Sequence, residues 1–147
     1  MCNLANTASL LWHGLHSIEN SPLQSVNWAG FYVLRPGDQS ILILGPFQGK
    51  VACQTIAVGR GVCGAAAAEK KTQLVSDVDK FPGHIACDSE TKSEIVVPIV
   101  KKGPRGEAIV IGVLDIDCTK VNAFDQTDKE MLQELALFLG DACDWGV

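Results

Sequence analysis

The sequence predicts an α+β domain in which one β-sheet is covered on one face by helices from the two ends of the chain. Three observations carry this. Apolar residues recur at helical spacing near both ends, β-branched and aromatic runs of strand length fill the interior, and glycine and proline punctuate the connections between them. With 147 residues and 47% hydrophobic side chains, the chain has the length and apolar content of a single globular domain, residues 1–147.

In chain order, Leu4, Ala8, Leu11 and Leu15 recur every three or four residues and predict a short amphipathic helix ending before Asn20-Ser21-Pro22. Trp28 to Arg35 and Ser40 to Gly45 flank Pro36-Gly37-Asp38 and read as a β-hairpin. Val51 to Val58 is a weaker extended segment. Gly59-Arg60-Gly61 opens the alanine-rich stretch Val62 to Lys71, whose propensity is helical. Gln73 to Ser76 is a short strand, and Asp77 to Lys92 is a long polar loop of the kind that serves as a lid or binding element. Glu94 to Val100 and Ala108 to Asp117 form an antiparallel pair; Pro98 has no N–H to give the ladder and must face an edge or a bulge. Thr127-x-x-Glu130 resembles a capping box, and Met131, Leu135, Phe138, Leu139 and Ala142 form the stripe of a closing helix directed at the sheet. The terminal helices cover one face, so the central loops must cover the other, leaving a cavity where a ligand fits.

Charge excludes several classes of partner. The chain has 12 basic and 17 acidic side chains and a formal net charge of -5, which leaves no basic stripe to neutralise phosphates, so nucleic acid is not expected. No apolar run approaches the roughly 18 residues of a membrane span. Met1 to Gly14 carries no Lys or Arg and no small-residue cleavage site, which argues against a secretory leader and for the cytoplasm. There the six cysteines stay reduced at rest, and a disulfide that forms is catalytic or redox-sensing rather than a structural staple.

Cysteine placement narrows the chemistry. The spacing of Cys53, Cys63 and Cys87 contains no Cys-x-x-Cys and disfavours zinc, so a metal site built from them with His84 is the minor reading and no cofactor is expected. Buried cysteines commonly fill space, the reading adopted for Cys118 and Cys143, while Cys2 lies at a fraying terminus. Cys87 differs, because a thiol on a polar loop is accessible to reaction. In Gly112-Val113-Leu114-Asp115-Ile116-Asp117 the two-residue period puts both acids on one face, and Glu94 begins the neighbouring strand. Isolated strand-end acids are usually just solvated, but crowded carboxylates cannot all ionise cheaply, so one keeps its proton or the group holds a cation. Trp28 alone reads as a core aromatic, and His84 as a loop residue without an assigned role.

Six segments taken together, Asn27-Trp28-Ala29-Gly30-Phe31-Tyr32, Gly49-Lys50-Val51-Ala52-Cys53, Gly59-Arg60-Gly61-Val62-Cys63-Gly64, His84-Ile85-Ala86-Cys87-Asp88, Ser93-Glu94-Ile95-Val96-Val97-Pro98 and Gly112-Val113-Leu114-Asp115-Ile116-Asp117, closely resemble the free methionine (R)-sulfoxide reductases. These are stand-alone GAF-domain enzymes, and the resemblance runs from about Asn3 to Trp145. It implies a six-stranded antiparallel GAF-like sheet, terminal helices on one face, a loop-covered pocket on the other, and free methionine (R)-sulfoxide as substrate. It further implies that Cys87 is the nucleophile, Cys53 the principal resolving cysteine and Cys63 a secondary thiol. Glu94, Asp115 and Asp117 match the acidic cluster that handles the substrate ammonium and sulfoxide oxygen, with Glu94 the preferred proton donor. Trp28 and Tyr32 match the aromatic wall around the sulfur-bound methyl, and backbone amides near Ile85, Ala86 and Cys87 match the carboxylate site.

The implied chemistry is attack by the Cys87 thiolate, a sulfenic acid, a Cys53–Cys87 disulfide and its reduction by a thioredoxin-type dithiol. Closing that bond needs the two alpha carbons within roughly 7 Å, so the loop Asp77 to Lys92 is expected to move. Three nearby acids would suppress the thiolate, a difficulty that the substrate ammonium would relieve. The chain begins where the family carries a further helix or more, so its amino-terminal packing is either incomplete or supplied by a partner, and a homodimer is compatible with it. The competing reading is a non-catalytic GAF sensor of small molecules, and a third is a dimerisation domain.

Overall fold

In the computed structural model, which describes residues 1–85 and 87–145, the chain folds as α1 (Cys2–His16), β1 (Val26–Arg35), β2 (Asp38–Gly49), β3 (Thr55–Ala57), α2 (Gly61–Glu69), β4 (Gln73–Val75), β5 (Ser93–Lys102), β6 (Ala108–Cys118) and α3 (Gln126–Ala142). The strands form one sheet in the order β3-β2-β1-β6-β5-β4, and every neighbouring pair is antiparallel. β1 and β6 therefore lie at the centre, where both faces must be covered. No described helix is long and apolar enough to cross a membrane.

The sheet has two cores. On one face Leu4 and Ala8 of α1 and Leu132, Ala136 and Leu139 of α3 pack over Phe31, Ile95, Val97, Leu114 and Ile116. On the other, Val62, Cys63 and Ala66 of α2 pack over Trp28, Tyr32, Val96 and Val113. Strand alternation sorts these sets, and bulges reset it: Val26 belongs to the first core and Trp28 to the second, and a register shift against β6 falls between them. Gly64 lets α2 lie close to the sheet, since a Cβ there would come within 2.4 Å of the Ala57 carbonyl oxygen.

Several element-level expectations change. The cap of α3 is Asp125 with Asp128, not Thr127 with Glu130: the Asp128 N–H donates to Asp125 Oδ1 at 3.0 Å, and the Asp125 N–H donates to Asp128 Oδ2 at 2.8 Å. The inward face of α3 is Leu132, Ala136, Leu139 and Gly140, while Met131 and Phe138 of the expected stripe point outward at 62% and 66% exposure. Cys143 is the residue capping the end of α3. Residues 51–54 form a loop before the short β3. The long loop contains a 3-10 turn at Val78–Lys80, and its two ends are joined just before β5 by the Val78 N–H donating to the Lys92 carbonyl at 2.9 Å. Pro98 lies beyond β4, whose pairing spans only Glu94 to Val96, so that stretch of β5 has a strand on one side alone.

Candidate active site

The cross-strand register brings the chemistry-bearing residues together. Asp117 of β6 pairs with Trp28 of β1 on one side and Glu94 of β5 on the other, forming a row across three strands. One step along the same face, Asp115 pairs with Gly30 and Val96. Leu114 and Ile116 point to the opposite face and are sealed under α1 and α3, which forces both acids toward the face that α2 and the loops cover. There Trp28, Tyr32, Cys63, Cys87, Glu94, Asp115 and Asp117 line one cavity of about 40 Å³.

Aromatic packing builds one wall. Trp28 stacks on Tyr32 and on Phe47, with ring centroids 5.8 and 5.2 Å away. The Tyr32 hydroxyl donates to the Cys53 carbonyl at 2.9 Å, which pins the loop carrying Cys53 above the ring. Burial is the main cause that raises the pKa of that hydroxyl, with the acidic groups of the floor, Asp115 first, adding to it. The Trp28 indole Nε1 is buried without an acceptor among the described residues, leaving a free donor at the wall.

The floor is acidic and holds protons. Glu94 and Asp115 are each only 6% exposed. Burial is the main cause that drives the pKa values of Glu94, Asp115 and Asp117 well above the carboxylate range; repulsion from Asp117 adds to it at Glu94, from Glu94 at Asp115, and from Asp115 at Asp117. The Cys63 thiol donates to Asp115 Oδ2 at 3.2 Å, and burial followed by the Asp115 charge raises its pKa as well. His84 Nε2 approaches Glu94 Oε2 at 3.6 Å, and burial, which lowers the His84 pKa and raises that of Glu94, works against an ion pair there.

At the mouth, Cys53 and Cys87 form a disulfide across 34 positions with alpha carbons 5.9 Å apart. Cys87 is exposed and Cys53 half-buried. Cys2, Cys63, Cys118 and Cys143 are free thiols, with Cys118 buried at the end of β6 and Cys2 exposed. Ile85 lines the cavity beside Gly61, whose positive φ of 62° and missing Cβ make room for its side chain. Ala86, read above as part of a carboxylate-binding segment, lies outside the described residues.

Sequence reasoning missed the residues that hold the Cys87 loop. The Asn27 side-chain N–H donates to Asp88 Oδ2 at 3.0 Å and to Thr91 Oγ1 at 3.1 Å. Lys50 pairs with Glu90 and lies 3.8 Å from Asp88 Oδ2. The Glu90 N–H donates to Asp88 Oδ1 and is the first cause holding the Asp88 carboxyl below its usual range. The available signal was slight: an Asn beside the wall tryptophan and an Asp directly after the loop cysteine.

Residues 6–144 match the GAF domain family, which defines the class of this domain. A solved GAF domain that is 54% identical superposes with a TM-score of 0.88, over 97% of this chain and 76% of that one. The free methionine-R-sulfoxide reductase of Neisseria meningitidis, solved in complex with its substrate, is 44% identical with a TM-score of 0.80, over 95% of this chain and 74% of that one. The free methionine-R-sulfoxide reductase of Saccharomyces cerevisiae is 53% identical over 97% of this chain and 75% of its own length, and that of Escherichia coli 47% over 92% and 72%. The chain belongs to the free methionine-R-sulfoxide reductase family.

Proposed function

We propose that this chain reduces free methionine (R)-sulfoxide to methionine at the cavity between Trp28, Cys87 and the Glu94–Asp115–Asp117 floor. Supporting this reading are the relatives of that name from yeast and Escherichia coli. The observation that carries it is a redox pair, Cys53–Cys87, at the mouth of a cavity floored by carboxyls that retain protons. Reduction needs a soft nucleophile for sulfur and a proton for oxygen, and these two groups offer both.

In the reduced chain the Cys87 thiolate attacks the sulfoxide sulfur, and Glu94 protonates the departing oxygen directly or through water. Methionine leaves with the sulfur electron pair, and Cys87 gains the oxygen as sulfenic acid. The Cys53 thiol condenses with it, releasing water and forming the disulfide, with Cys63 as a secondary thiol. A thioredoxin-type dithiol then takes the oxidation by exchange. Burial and mutual repulsion favour the protonated forms of the floor acids, which lessens the negative charge they place near Cys87, and the incoming ammonium draws ionisation from the acid it contacts. Trp28 and Tyr32 would face the methyl group, and amides near Ile85 to Cys87 the substrate carboxylate.

The test is NADPH oxidation by thioredoxin and its reductase with each separated epimer of methionine sulfoxide. Turnover of the R epimer is expected, with loss of about a thousandfold or more in Cys87→Ser. Turnover by Cys87→Ser with dithiothreitol would overturn the assignment.

A further inference from the structure

Beneath the redox pair, Cys63, Glu94 and Asp115 come from α2, β5 and β6, and the thiol sulfur and one oxygen of each carboxyl all lie within 4.8 Å of one another. All three residues are buried. Asp115 Oδ1, on a residue only 6% exposed that lines the cavity, has no partner beyond the neighbouring Glu94 carboxyl. The cluster therefore turns sulfur and oxygen ligand atoms toward one another with no cation or basic side chain among them. We propose that Cys63, Glu94 and Asp115 form a binding site for a thiophilic divalent cation of the zinc class, seated at the cavity floor.

The geometry suits such an ion. A tetrahedral zinc centre holds sulfur at about 2.3 Å and oxygen at about 2.0–2.2 Å, which sets neighbouring ligand atoms roughly 3.5 Å apart. Cys63 Sγ and Asp115 Oδ2 are already 3.2 Å apart. His84 Nε2 lies 3.6 Å from Glu94 Oε2 but outside the three-residue cluster, so the fourth position would fall to water from the cavity. Binding releases the thiol and carboxyl protons to solvent and forms a metal–sulfur bond, with no change of oxidation state. A thiol with few oxygens disfavours magnesium and calcium, which require six or more oxygen ligands or retained waters. Because the ion occupies the carboxyls that the preceding reading gives to the substrate ammonium, it excludes the substrate; only this consequence rests on that reading.

The experiment uses the full chain as Cys53→Ser/Cys87→Ser, which removes the dithiol as a competing chelator, and titrates Cd2+ while following thiolate-to-metal absorption in the ultraviolet. One saturable equivalent is expected, displaced by Zn2+ and unaffected by millimolar Mg2+. Adding Cys63→Ser should abolish the band, and adding Asp115→Asn, which retains the thiol, should weaken binding tenfold or more with an unchanged circular dichroism spectrum. Survival of the band without Cys63, or unaltered affinity in Asp115→Asn, overturns the proposal. A chain that binds Cd2+ in this way but turns over no methionine sulfoxide retains the site and loses only the reading of the preceding subsection.

Discussion

At Asp115 the costs of burial, crowding and an unmet acceptor fall on one side chain. Its pKa in the folded chain lies well above the ordinary value, so the folded form retains a proton that the unfolded chain has already released. Stability then falls as pH climbs from the usual carboxylate range, about 4, through the raised value, and it is greatest below that window. Glu94 and Asp117 shift in the same direction and add to the slope. Asp115→Asn keeps the shape and cannot ionise. It is therefore expected to melt higher than the parent at pH 8, by about 1 kcal/mol or roughly 3 °C, with the gain shrinking toward zero at pH 4. Melting curves across that range check this, and a gain independent of pH would contradict it. On the substrate side, the proposed function predicts that a sulfoxide lacking the amino group should lose kcat as well as affinity, because without the ammonium on the floor the sulfoxide is no longer held in register with Cys87 and Glu94. Steady-state kinetics with both substrates separate the two effects.

Among the elements, α3 shows where periodicity misleads. Met131, Leu135 and Phe138 make a more hydrophobic stripe than the Ala136 and Gly140 that actually face the sheet with Leu132 and Leu139. The reason is distance: a Cβ on Gly140 would sit 2.3 Å from the Val100 carbonyl oxygen, so the helix approaches β5 at a small residue, and Met131 and Phe138 are turned outward while Leu135 is only partly buried at the edge of the core. A hydropathy pattern weighs side chains by size and cannot register close backbone approach. Leu139→Ala should accordingly cost about 2–5 kcal/mol, whereas Phe138→Ser should change stability by no more than about 0.5 kcal/mol. The cap gives an equally direct contrast. Asp125→Ala removes the acceptor for the Asp128 N–H and should cost about 1 kcal/mol, while Thr127→Ala should be silent. Urea midpoints at constant slope measure both pairs.

For the molecule as a whole, what was legible in the sequence was local. The two-residue period of β6 put Asp115 and Asp117 on one face, while the pairing of Trp28 with Tyr32 came only from the family resemblance. What joins Asn27 to Asp88, Lys50 to Glu90 and Cys63 to Asp115 spans 40 to 61 positions and has no periodic trace. The first two of these ties hold the Cys87 loop together with the disulfide, which the family resemblance did imply. It clamps the loop over a cavity of about 40 Å³, far below the roughly 300 Å³ at the small end of ligand pockets, so admitting an amino acid requires the clamp to open. Cross-linking positions 34 apart restricts the unfolded chain by about 3–4 kcal/mol in the chain-entropy account. Reduction is thus expected to lower the melting temperature by roughly 10 °C, and Cys53→Ser/Cys87→Ser should melt with the reduced chain. The opening should be local, with hydrogen exchange rising at residues 50–54 and 84–92 while β1 and β6, at the centre of the sheet, keep their protection. Scanning calorimetry and exchange on the oxidised and reduced forms test both halves; equal melting, or protection lost evenly through the sheet, would show that the disulfide is not what holds the lid.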